Sequence, residues 1–84
     1  MEEGHQSPPP NQLLEGRYAN AFHVGHNAFE FLLDFGQSIP DREQPQMHTR
    51  IITAPVYAKA FAEVLTEAIS KYEAAFGAIP KGDT

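Results

Sequence analysis

Between Tyr18 and Phe35 apolar and polar residues alternate, and from Pro55 to Phe76 the apolar positions recur instead at three- and four-residue steps. Alternation sends successive side chains to opposite faces of a sheet, whereas the 3.6-residue turn of a helix gathers them into a stripe. The change of period therefore predicts one amphipathic sheet followed by one amphipathic helix. In the first strand Tyr18, Phe22 and Val24 share the face expected to be buried, where Phe22 joins Phe29, Phe31 and Phe35 of the next strand in an aromatic core, and Gly25, His26 and Asn27 then supply the turn, Gly25 and Asn27 being types that tolerate the positive φ of a tight hairpin. In the second strand Phe29, Phe31, Leu33 and Phe35 lie together, opposite Ala28, Glu30, Leu32 and Asp34. Turns centred on Gly25-His26 and on His26-Asn27 both keep the two aromatic rows on one face, so the facing follows from the sequence and the register does not.

The stretch from Gly36 to Pro45, rich in Gly, Ser, Pro, Asp and Gln, reads as an irregular connection with Ile39 as its large apolar anchor. Met47, Thr49, Ile51 and Thr53 then alternate with His48, Arg50 and Ile52. Their β-branched content predicts a third strand, antiparallel to the second because a parallel return would need a crossover of a dozen or more residues. A helix follows, with Thr53 or Ala54 at its cap and Pro55 in the first turn, where a missing N–H costs nothing. Gly77 is placed to end it in a left-handed conformation, and Pro80 prevents its resumption. The fold class is thus α+β: a three-stranded antiparallel sheet, made of a β-hairpin plus a third strand, followed by one long C-terminal amphipathic helix, in the order β-β-β-α. Residues 13–79 are expected to form a single domain, residues 1–12 a disordered Pro-rich tail and residues 80–84 a frayed C-terminus.

Tyr57, Phe61, Val64, Leu65, Ala68, Ile69, Tyr72 and Phe76 make the helical stripe, with Lys59, Glu63, Glu67, Ser70, Lys71 and Glu73 on the other side. A helix of about 22 residues is about 33 Å long, while strands of seven or eight residues span roughly 25 Å, so part of the stripe overhangs the sheet of one copy. A chain of 84 residues also has little core to offer, and without cysteine it has neither disulfides nor thiolate zinc sites to add. Self-association is the simplest remedy, through helices packed across a two-fold axis or edge strands joined into one sheet. Tyr57, Phe61, Val64, Leu65, Ile69 and Tyr72 are the interface candidates, and a tyrosine at the rim can bury its ring while its hydroxyl stays wet.

A formal charge of −5, with six scattered basic residues, repels phosphate backbones and disfavours nucleic acid as a partner. No stretch approaches the roughly 20 apolar residues that span a bilayer, and Met1 to Asn11 has neither the basic start nor the apolar run of a secretory signal, so no membrane partner and a cytoplasmic location are expected. His23, His26 and His48 are the chemically suggestive residues. If the first and third strands both flank the second, His23, His48 and Arg50 share the less apolar sheet face with Glu30 and Asp34. A metal site needs three or four ligands converging on one ion, and no compact spacing such as HExxH is present. Glu30 and Asp34 would lie about 13 Å apart along a strand, too far for a cooperating acid/base pair. Cross-strand ion pairing is the bland use of the same residues. Neither a nucleophile with its base nor a phosphate loop is found, so no enzyme, no resident metal and no cofactor are expected.

Gly16-Arg17-Tyr18-Ala19-Asn20, Val24, His26, Glu30-Phe31, Leu33-Asp34-Phe35, Thr49-Arg50-Ile51-Ile52, Pro55, Ala58-Lys59, Ile69, Lys71-Tyr72-Glu73 and Phe76-Gly77 together resemble the DUF3467 family of small prokaryotic proteins, over roughly residues 12 to 79. The resemblance implies a compact domain with variable tails and attaches no activity to it. It also implies a partner in the transcription machinery, RNA polymerase, because members in one bacterial phylum are encoded beside its subunit genes. The segment from Gln37 to Gln46 departs from the family pattern in length and composition. The function expected is a non-catalytic cytoplasmic interaction module that homodimerises and offers a sheet face or edge to a protein partner. The alternative is a small ligand- or metal-binding protein built on His23, Glu30, Asp34, His48 and Arg50.

Overall fold

The computed structural model describes residues 13–82, so the Pro-rich tail expected over residues 1–12 and the last two residues of the expected frayed end lie outside the described residues. Strands β1 (Ala21–His26), β2 (Phe31–Gln37) and β3 (Gln46–Thr53) are followed by helix α1 (Pro55–Phe76). The sheet is antiparallel throughout, with β2 in the centre.

The hairpin turn sits later than the glycine suggested. Gly25 is strand, paired with Leu32, and the loop runs from Asn27 to Glu30. Asn27 builds it: its Oδ1 accepts from the Phe29 N–H at 2.7 Å and the Glu30 N–H at 2.9 Å, and its own N–H donates to the Glu30 carbonyl at 3.0 Å. An Asx side chain that imitates a turn of the backbone thus replaces the positive-φ residue a two-residue hairpin would need. Consequently Phe29 and Glu30 are turn residues, and Tyr18 precedes β1.

The facing is as expected. Phe22 lies opposite Phe35 with rings edge to face at 5.8 Å, Val24 lies opposite Leu33, and Leu33 and Phe35 meet Ile51 and Thr49 on β3. The ladder between β2 and β3 slips at its far end, where Phe35 pairs with Thr49 but Gly36 pairs with Met47, leaving His48 as the extra residue of a bulge. Gly36 is what lets β3 bend inwards there: a Cβ on it would lie 2.5 Å from the Gln46 carbonyl oxygen and 2.7 Å from Met47 Cα. Asn20 fastens the same end, its N–H donating to Gly36 O at 2.9 Å and its Oδ1 accepting from Ser38 N–H at 2.7 Å. Between β2 and β3, Pro40 followed by Asp41 at φ 71°, with Arg42 N–H donating to Ile39 O, makes a turn of type II character.

Helix α1 has the expected bounds. Ala54 caps it without a side-chain hydrogen bond, and Pro55 stands in its first turn. At its other end the Gly77 N–H donates to Glu73 O at 2.9 Å, but Gly77 has φ 100° and ψ 166°, an extended conformation open in practice to glycine alone, rather than the left-handed helical one expected. The chain beyond is tied back, Ile79 N–H donating to Glu73 Oε2 at 2.9 Å. The expected Glu67 to Lys71 pair is present at 3.5 Å.

The sequence led us to expect a thin aromatic core beneath a helix that covers much of the sheet. Instead, among the described residues no hydrophobic side chain is buried, and the strands pack side by side while the helix makes no comparable contact with any of them. The cause is local. A single extended residue, Ala54 (φ −82°, ψ 157°), separates Thr53 from Pro55, whereas connections that return a helix onto its own sheet take about two to six residues. So short a link works against folding the helix back over its own sheet.

Candidate functional site

Two surfaces result, one polar and one apolar. On the polar face of the sheet the register sets His23, Asp34 and Arg50 in a row across all three strands. Arg50 binds Asp34 through both ends of its fork, Nε to Oδ1 at 2.8 Å and Nη2 to Oδ2 at 2.9 Å. The Asp34 side chain is only 12% exposed although no second layer covers it, which means that its strand neighbours and Arg50 do the shielding. Hydrogen bonds from Arg50 hold its carboxyl below the usual carboxylate range, its partial desolvation pulls the other way, and the charges of Arg50 and His23 add to the lowering. The same bonds raise the already high pKa of Arg50. This is a two-point ion pair that engages both carboxylate oxygens and two of the five guanidinium N–H groups.

The other residues of the expected set do not join that row. Glu30 belongs to the hairpin turn, not to a strand face, because Asn27 moves the turn two to three residues along the chain. His48 occupies the bulge and is tied down on both ring nitrogens: Nε2–H donates to Tyr18 O at 3.0 Å, and Nδ1 lies 2.7 Å from Thr49 Oγ1. A carbonyl can only accept, so Nε2 carries a hydrogen. His26 stacks on Phe31 at 5.3 Å. Among the described residues no three His, Asp or Glu side chains are placed to share a metal ion. Arg17, Ala19, Phe35, His48 and Thr49 border an open depression of about 550 Å³, too little enclosed to bury most of a small ligand.

The apolar surface is of another order. Each of Tyr57, Phe61, Val64, Leu65, Ile69 and Tyr72 is exposed, from 41% at Ile69 to 67% at Tyr57, and Phe76, its ring tilted against Tyr72 with ring centres 5.0 Å apart, is exposed too. At roughly 200 Å² per large side chain, about half of it open, the stripe leaves on the order of 800 Å² of apolar surface in water. That equals what one partner contributes to a protein interface of standard size. On the sheet, Phe22, Val24 and Ile51 are exposed as well, and on the same face as Leu33 and Phe35. No helix among the described residues is long and apolar enough to cross a membrane. What the sequence reading missed is the second half of this surface: on the sheet face counted as core Phe22, Val24 and Ile51 are exposed and Leu33 and Phe35 only half-buried, and the one-residue link between Thr53 and Pro55 was the signal for it.

The family model described as a protein of unknown function (DUF3467) matches residues 4–81. No curated protein and no solved structure matches the chain.

Proposed function

From a chain that belongs to the DUF3467 family, and whose helix stripe and sheet face are bare, we infer that it is a non-catalytic interaction module, completed by a second copy of itself. The uncovered stripe from Tyr57 to Phe76 carries the reading. An isolated helix draws most of its stability from packing an apolar face, and this one has neither a side-chain cap nor acidic residues in its first turn or basic residues in its last. Surface of this extent on a soluble monomer is uncommon and marks a place where protein meets protein. Once the apolar faces are used in dimerisation, the polar sheet face with His23, Asp34 and Arg50 and the free edges of β1 and β3 remain for a further protein partner. The work is then cytoplasmic binding, and RNA polymerase is the partner to try first in a pull-down.

If folding and association are one process, the unfolding temperature depends on protein concentration by mass action. Thermal unfolding followed by circular dichroism across a hundredfold range of concentration should show a midpoint that climbs steadily. A midpoint independent of concentration, with the helix intact, would remove the reading.

A further inference from the structure

We propose that the dimer is reciprocally exchanged, each copy laying its helix α1 across the apolar sheet face of the other. The proposal rests on the dimer reading above and adds which surface meets which. Three observations carry it. First, the link is short: Ala54 alone joins β3 to α1 and is extended, and the helix makes no contact with the strands comparable to theirs with each other. Second, the two bare surfaces match in kind. The stripe centred on Phe61, Leu65 and Ile69 is wider than the narrow seam of a two-helix coiled coil, because a second apolar row, Val64, Ala68, Tyr72 and Phe76, runs beside the row Tyr57, Phe61, Leu65 and Ile69. Such breadth suits a sheet. Phe22, Val24, Leu33, Phe35 and Ile51 supply a face of similar character.

Third, the areas agree. A helix-to-helix dimer would cover the stripe and leave both sheets bare, and joined edge strands would cover neither apolar face. Exchange covers all four surfaces, and with on the order of 800 Å² on each helix and on the order of 300 Å² from Phe22, Val24 and Ile51 on each sheet it reaches the lower end of the roughly 2,000 to 5,000 Å² of obligate dimers. The other face of the sheet, with the Asp34–Arg50 pair, stays outside and wet. This is domain swapping in its permanent form.

The chain has no cysteine, so single cysteines report cleanly. Val24→Cys and Leu65→Cys are made in separate chains, one carrying an affinity tag; the two are unfolded, refolded together and treated with a short bismaleimide. Exchange predicts a mixed covalent dimer from the pair and little product from Leu65→Cys alone. Efficient coupling of Leu65→Cys with itself would mean that helices meet each other. Intrachain coupling in the double variant, diluted in excess native protein, would mean that the helix covers its own sheet. Either result overturns the exchange, and the second, with a monomeric mass, removes the dimer as well. Should the variants fold poorly, isotope-filtered NOEs on a mixture of labelled and unlabelled native protein give the same decision. Contacts between chains from Leu65 and Ile69 methyls to the Phe22 and Phe35 rings support exchange, and their absence from an otherwise dimeric sample contradicts it.

Discussion

Replacing Leu65 by alanine tests the apolar stripe at its middle without harming the helix, since alanine is the better helix former. Leu65 is 47% exposed in one copy, so about half its surface remains to be covered by a partner. Complete burial of a leucine stabilises by about 1.5 to 3 kcal/mol, which makes the remaining half worth about 1 kcal/mol per copy. A two-fold dimer contains the residue twice, and about 2 kcal/mol corresponds to roughly a thirtyfold weaker association, more where the gap does not close. Leu65→Asp goes further, because it sets an unpaired carboxylate into an apolar contact at several kcal/mol per copy. Sedimentation velocity over a dilution series gives the dissociation constants. Lys59→Ala, on the polar side of the helix, serves as control and should leave association unchanged. Equal dissociation constants for the native chain and Leu65→Asp would refute the assignment of the stripe to the interface.

Gly36→Ala should destabilise the fold by about 1 to 3 kcal/mol, since its methyl meets the backbone of Gln46 and Met47, and urea titration would show it. The Asp34 pair should make stability depend on acid in a defined direction. A carboxylate whose folded pKa lies below its unfolded value stabilises fully above the unfolded value and loses that contribution as the pH falls through the folded one. The difference in urea midpoint between the native chain and Asp34→Asn should therefore be constant above about pH 5 and shrink below about pH 4; a constant difference down to pH 2 would contradict it. Lengthening the link at Ala54 with a short Gly-Ser insert should allow each helix to reach its own sheet and shift the population towards folded monomer, which light scattering would detect.

The helix bounds were legible because Pro55 and Gly77 punctuate them in ways no tertiary contact needs to supply. That Phe22 and Val24 share a face with Leu33 and Phe35 followed from alternation alone, whereas the register that pairs Phe22 with Phe35 and Val24 with Leu33 did not, because it is set by the turn. The turn was misplaced because Gly25 carries the stronger generic signal, whereas Asn27 works through two side-chain hydrogen bonds that depend on the residues after it. That error carried Glu30 onto a strand face it does not occupy. The bulge at His48 was not readable: it rests on a close approach at Gly36, and nothing in the local pattern of β3 distinguishes an inserted residue from an alternating one. For the polar row the sequence placed His23, Asp34 and Arg50 together but could not say that the last two satisfy each other so fully. The hardest feature was the absence of a core among the described residues, because periodicity says which face is apolar and not what covers it.

Mass in solution speaks most directly to whether this fold is finished by a second copy. Multi-angle light scattering of the native 9.3 kDa chain at micromolar concentration should return twice that mass together with strong helical circular dichroism. A monomeric mass with the same helical signal and a cooperative unfolding transition would contradict the account.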